Sequence, residues 1–181
     1  MDEPIEFDEL DSFTPGAVGE PGSRIFYIQA RRGTQVVSLR LEKEQVGMLG
    51  GYLDSLATSL GSPDPDRDIA GLIEPVVAEW IVGTITVGLD DSSGLIQVTA
   101  EELVREEIEF EVGDDFTEDD IEALLDAHEP RQPASARFTL RPNQAAAFAE
   151  ASQELISSGR PPCRLCGRPI GPEGHNCPRW N

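Results

Sequence analysis

A chain of 181 residues that is 39 % apolar can bury one ordinary core plus a small appendage. With 34 acidic residues against 14 basic ones, its formal charge of −20 argues against the whole body wrapping nucleic acid or lying on an anionic membrane. No apolar run approaches the roughly 20 residues that span a bilayer, and the acidic start Met1-Asp-Glu-Pro lacks a signal peptide's basic and apolar regions, so a soluble, cytoplasmic protein is expected.

In chain order, residues 4–8 alternate apolar and acidic and predict a short edge strand. The glycine- and proline-rich run 13–22 predicts a loop or hairpin. Residues 24–30 and 34–41 read as strands joined by a tight turn at Arg31-Arg32-Gly33, with Val37, Leu39 and Leu41 on one face. A helix follows over 43–60, its buried stripe formed by Val46, Leu49, Leu53, Leu56 and Leu60. Gly47, Gly50 and Gly51 inside it suggest close packing or a local break. Residues 61–66 form a linker, and 69–73 predict a short helical piece before Pro75.

A second hairpin covers 80–89 and 95–100, with its turn at Asp90-Asp-Ser-Ser-Gly94. Residues 101–129 hold fourteen acids against Arg105 alone. Within that stretch Thr117 to Asp120 has the form of a capping box, and Ile121, Leu124, Leu125 and His128 follow at helical spacing, so a short acidic helix is predicted. Residues 101–134 as a whole read as an acidic, partly irregular insertion. A strand over 136–140 then runs into a helix that begins at Pro142 and ends at Gly159, with Ala145, Phe148, Ser152 and Leu155 on its buried side.

The two helix entries echo each other. Ser38-Leu-Arg-Leu-Glu-Lys-Glu-Gln45 and Arg137-Phe-Thr-Leu-Arg-Pro-Asn-Gln144 each carry a strand into a helix, with glutamine four residues after the last strand leucine. This suggests two strand-strand-helix units related by a pseudo-twofold axis. The fold class that follows is α+β: one mainly antiparallel sheet with two packed helices over residues 1–159, and a separate tail over 160–181.

The tail concentrates the chemistry. Cys163-Arg-Leu-Cys166-Gly-Arg-Pro-Ile-Gly-Pro-Glu-Gly-His175-Asn-Cys177 holds all three cysteines and one of the two histidines. A Cys-x-x-Cys turn aims two sulfurs at one point, and Gly167 after it can take positive φ. His175 and Cys177, two apart, fall on one side of an extended segment. Three thiolates and an imidazole suit tetrahedral zinc in a closed, structural site. The alternative is a disulfide or redox cluster, but three cysteines leave one over and nothing marks the chain as secreted. So short a segment cannot bury a core, so metal binding would be what folds it.

Several stretches together resemble a known family: residues 13–30, the Leu-Glu-Lys-Glu-Gln45 helix start, Val82-Gly-Thr, and the tail from Gly159-Arg-Pro-Pro-Cys163 through His175-Asn-Cys177-Pro. This looks like the actinobacterial-type domain-of-unknown-function family 3090. The resemblance covers nearly the whole chain and departs from the family pattern in the acidic 101–129 stretch. It implies bacterial origin, which agrees with Lys43 as the only lysine beside thirteen arginines. It implies no activity, only proximity to a phosphatidylinositol-kinase-like and a phosphoglycerate-mutase-like protein.

For function, the sequence favours an accessory or adaptor protein with a protein partner, the tail serving as a docking element and the acidic stretch facing a basic partner or solvent. Residues 160–181 hold Arg160, Arg164, Arg168 and Arg179 against Glu173, a balance of +3 that leaves −23 for the rest. Arg164, Arg168, Arg179 and Trp180 are therefore candidate partner-binding residues. They also support the alternative of a nucleic-acid-binding regulator. An enzyme or small-ligand binder is the second alternative, using the glycine-rich loop 16–24 with Arg24 as an anion site. Against it, no phosphate loop, Gly-x-Ser-x-Gly elbow or His-Glu-x-x-His pair occurs, and His128 reads as a surface or cap residue.

Overall fold

Alternating and helical apolar spacings resolve here into one local plan used twice: three strands, then a helix. The computed structural model describes residues 4–61, 63–66, 71–104, 131–159, 163–168, 170 and 174–180. The predicted acidic helix, His128 and Arg160 lie outside these residues. Strands β1 (Ile5–Phe7), β2 (Ser12–Val18), β3 (Ile25–Arg32) and β4 (Gln35–Leu41) lead into helix α1 (Lys43–Ser59). Strands β5 (Val82–Asp90), β6 (Leu95–Glu102) and β7 (Ser135–Leu140) lead into helix α2 (Pro142–Ser157).

The α+β class holds and antiparallel pairing dominates, but in two sheets rather than one: β2-β3-β4 and β1-β7-β6-β5. In each meander the last strand takes a segment from the other half as its neighbour. β1 runs parallel to β7, with Ile5 opposite Ala136 and Phe7 opposite Phe138. Residues 79–81 run parallel to β4, through Glu79 N–H to Ser38 O (2.9 Å) and Arg40 N–H to Trp80 O (3.0 Å). The segment ahead of each meander thus pairs with the last strand of the other.

Residues 13–22, expected as a loop or hairpin, are mostly β2. The strand tolerates Pro15 because it is an edge, where a missing N–H need not break a ladder. Burial of Phe13 at 1 % anchors it. Turn chemistry survives only after it, where Gly19 and Gly22 take positive φ. Of the predicted short helix at 69–73, residues 71–73 are described and are not helical.

The sequence echo extends through both units. Set Leu39 against Phe138; the strand registers then align Ile28 with Val98 and Pro15 with Val87. Five residues back along the chain from each, Leu10, two residues ahead of β2, falls on Val82, the first residue of β5. The two glutamines confirm this alignment independently. Gln45 accepts the Glu42 N–H (2.8 Å) and donates to Val82 O (3.2 Å). Gln144 accepts the Arg141 N–H (3.0 Å) and donates to Leu10 O (2.8 Å). Each glutamine caps its own helix and ties it to the start of the other unit's first strand. Each satisfies a helix N-terminal donor that would otherwise be orphaned.

Between the units, Leu39, Leu41, Val46, Leu53, Val98, Phe138, Leu140 and Phe148 are almost wholly buried in one core. The helices pack closely on each other. A Cβ on Gly50 would run into Ser152, and one on Gly47 would meet Ile156 at 3.0 Å, so these two glycines permit the approach. Gly51 faces open space.

Candidate metal centre

The first cysteine of the tail, Cys163, comes four residues after Gly159, which follows the end of α2. Its first turn is closed by the Gly167 N–H donating to Cys163 O and the Cys163 N–H donating to Arg168 O, both at 2.8 Å. Gly167 takes φ +74°, the left-handed conformation that lets the chain reverse directly after the second sulfur. The Leu165 N–H points at Cys163 Sγ (3.4 Å). Gly174, at φ +83°, turns the chain back so that His175 and Cys177 face the first pair. The Trp180 N–H bonds to Cys177 O (3.1 Å), and Arg179 reaches across to donate to Leu165 O (3.0 Å).

The result is one half-buried cluster. The ligand atoms of Cys163, Cys166, His175 and Cys177 all lie within 4.8 Å of one another. Cys163 Sγ is 3.8 Å from Cys177 Sγ, and Cys166 Sγ is 3.1 Å from His175 Nε2. The three thiols are free of disulfides. Backbone N–H groups of Cys166 and Leu165 lower the Cys163 thiol, favouring its thiolate. Burial, together with the neighbouring sulfurs, raises that of Cys177. A second thiolate beside the first is therefore disfavoured unless a cation joins them. Four such groups so close together can hold a metal ion.

The candidate partner-binding residues divide. Arg164 and Arg168 are exposed, and Trp180 is 80 % exposed. Arg179 is exposed too, but its guanidinium braces the first turn. Leu165, 51 % exposed and not singled out by sequence reasoning, is a further exposed side chain of the tail.

The glycine-rich 16–24 segment contributes Pro21, Gly22 and Arg24 to a pocket of about 230 Å³ that Lys43 also lines. Arg24 turns to the C-terminal end of α2, donating to Ser158 Oγ (3.0 Å), Ser158 O (3.3 Å) and Leu155 O (3.5 Å). There it meets the negative end of a helix whose own last turn has no basic residue.

No helix among the described residues is long and apolar enough to cross a membrane. No curated protein and no solved structure matches the chain. The family model described as "Protein of unknown function (DUF3090)" matches residues 5–177, from the first residue of β1 to the last cysteine of the cluster. Body and tail fall within that one match, and the chain belongs to the DUF3090 family.

Proposed function

We propose that Cys163, Cys166, His175 and Cys177 bind one structural zinc ion, and that the chain is a non-enzymatic accessory or adaptor of the bacterial cytoplasm that docks on a protein partner through this tail. The spacing of the sulfurs supports zinc. Two sulfurs each about 2.3 Å from a shared ion at the tetrahedral angle stand about 3.8 Å apart, and Cys163 and Cys177 stand 3.8 Å apart. The sulfur–nitrogen separation of 3.1 Å is tighter than the roughly 3.5 Å of a zinc-bound pair, a small outward adjustment. Four protein ligands leave no position for a reacting water, which favours a structural role over catalysis.

The observation that carries the docking role is the exposure of Leu165 and Trp180 in the same short tail as the exposed Arg164 and Arg168. An aromatic, an aliphatic and two guanidinium groups held rigid by a metal form a compact contact surface of the kind enriched at interfaces. Metal analysis should give about one zinc per chain. Cys163→Ser or Cys177→Ser should lose it and unlock amide exchange in the tail while the body stays folded. A tail that stays ordered without metal would sink the zinc assignment. Pull-down from the native cell with and without residues 160–181 should lose the partner on removal of the tail.

A second reading rests on Trp180, whose bare indole beside arginines can stack on a base. It predicts a salt-sensitive gel shift with single-stranded DNA or RNA. The −23 body repels that ligand, which is why the protein partner is preferred.

A further inference from the structure

The alignment of the two units exposes a difference between them. Where α2 meets β2, the rings of Phe13 and Phe148 stack with centroids 5.1 Å apart, and Phe138 packs on Phe13 at 5.3 Å. The counterpart positions beside β5 are Ile85 and Leu49. Ala147 of α2, 3 % exposed, corresponds to Met48 of α1, 68 % exposed; Ala151 corresponds to Tyr52, 53 % exposed. The seam that is shut on one side is a groove of about 580 Å³ on the other, between α1 and β5.

Its lining shows what shape it would take. Gln45, Met48, Leu49 and Tyr52 form one wall, and the consecutive residues 83–87 form the other. A groove over one sheet face would touch alternate strand residues. This one touches every residue, so it runs along the open edge of β5. Among the described strands β5 has β6 on one side and nothing on the other. Its first carbonyls are used by Gln45, at Val82 (3.2 Å) and Gly83 (3.3 Å), and from Thr84 onward no strand among the described residues pairs with this edge.

We infer that this groove takes an extended segment of a partner protein, added as a further strand on β5. Its inward side chains are apolar and lie under Met48 and Tyr52, and it carries lysine or arginine at its flanks. Main-chain pairing to a sheet edge with alternate side chains in an adjacent pocket is a general mode of peptide recognition. About five residues of strand, at roughly 3.4 Å each, span the lining run. Charge selects the occupant. After Lys43 neither α1, β5 nor β6 contains a single Lys or Arg, while Glu44 adjoins Met48 on α1 and Asp90 and Asp91 stand at the β5–β6 turn. A second copy of this chain would bring the same acids and another −20 against them, so a basic-flanked strand is favoured over self-pairing. The inference deepens the adaptor reading by giving it a second contact site, whose lining includes no residue of the metal tail.

The test is a random heptapeptide phage library panned on the full zinc-loaded chain, with enriched sequences synthesised and titrated. Enriched peptides should alternate apolar residues, carry flanking Lys or Arg, and slow amide exchange at residues 84–88. Tyr52→Glu and Met48→Glu, both at exposed positions and checked for folding by circular dichroism, should each weaken binding at least tenfold. No enrichment, acidic or non-periodic peptides, or affinity unchanged in both variants would overturn the inference. So would a concentration-dependent dimer abolished by Tyr52→Glu, which would make the occupant a second copy. Repeating the titration with Cys177→Ser separates the two claims. Peptide binding that survives loss of the metal keeps the groove whatever happens to the tail, and a partner lost only with the tail leaves the groove to stand or fall on its own peptides.

Discussion

The seam between α2 and β2 and the seam between α1 and β5 occupy the same place in two copies of one plan, yet one is filled and the other gapes. The order of elements does not make the difference, although α2 lies close against β2 while α1 stands off from β5. Both helices start from a glutamine-capped entry, and both first strands are sheet edges. Side-chain volume does: two phenylalanines fill one seam where isoleucine and leucine stand in the other, and two alanines let α2 settle where Met48 and Tyr52 project from α1. A duplicated architecture can thus keep one copy as core and release the other as surface. The outer faces diverge in the same way. Gln29 holds the Ile73 backbone at both its N–H (2.7 Å) and its carbonyl (3.2 Å), and Leu72 lies over Gly16. Among the described residues, nothing lies within 4 Å of a Cβ built on the counterpart Gly88.

The contrast can be broken hardest at its filled end. Phe148→Ala should open the α2 seam and cost about 3–5 kcal/mol in denaturant unfolding, because a wholly buried ring leaves a cavity. An equal cost from Ile85→Ala would mean that the two seams are not different in packing. The glutamines come next. Gln144 is 3 % exposed, so Gln144→Ala strands the Leu10 carbonyl in the core and should cost about 1–3 kcal/mol. Gln45→Ala, at a part-exposed site where water can replace the amide, should cost about 1 kcal/mol or less. Ile85→Phe would sharpen the comparison by giving the open seam the residue of the closed one. It should change stability by less than about 1 kcal/mol, since the ring enters free space, whereas over-packing a filled core costs about 1–3 kcal/mol.

The smallest effect lies at the β5–β6 turn. Hydrogen bonds from the Ser93 and Ser92 hydroxyls and the Ser92 N–H lower the Asp90 carboxyl from 3.8 to about 2. A depressed carboxyl stabilises the fold above its unfolded value and loses that contribution as pH falls towards about 2. The turn should therefore loosen only in strong acid, and Asp90→Asn should remove the pH dependence. An NMR titration of the Asp90 carboxyl that sits at the ordinary value would refute this.

Much of this was legible in residue order. Leu39, Leu41, Val46 and Leu53 announce a strand and a helix by period alone, and the Cys-x-x-Cys pair with His175 and Cys177 announces a cluster before any fold is known. The strand at β2 was not legible, because proline and glycine signal a turn locally while tertiary burial of Phe13 decides otherwise. The pairing of β1 with β7 was not legible either, since register between distant segments leaves no mark in local pattern. The α1–β5 groove depends on the relative size of residues that correspond only once the registers are known. Arg24, a candidate anion ligand by its glycine-rich neighbours, became a helix-end partner for the same reason: its target, Ser158, lies 134 residues further along.

The exchange of leading segments has a consequence for how this protein is made. β1 is synthesised long before its neighbour β7, which follows only after Ala134. The Leu10 carbonyl waits still longer, for Gln144. Neither half can be completed on its own, so the body should remain open to proteases until α2 has been made, and then close in one cooperative, comparatively slow step set by long-range pairing.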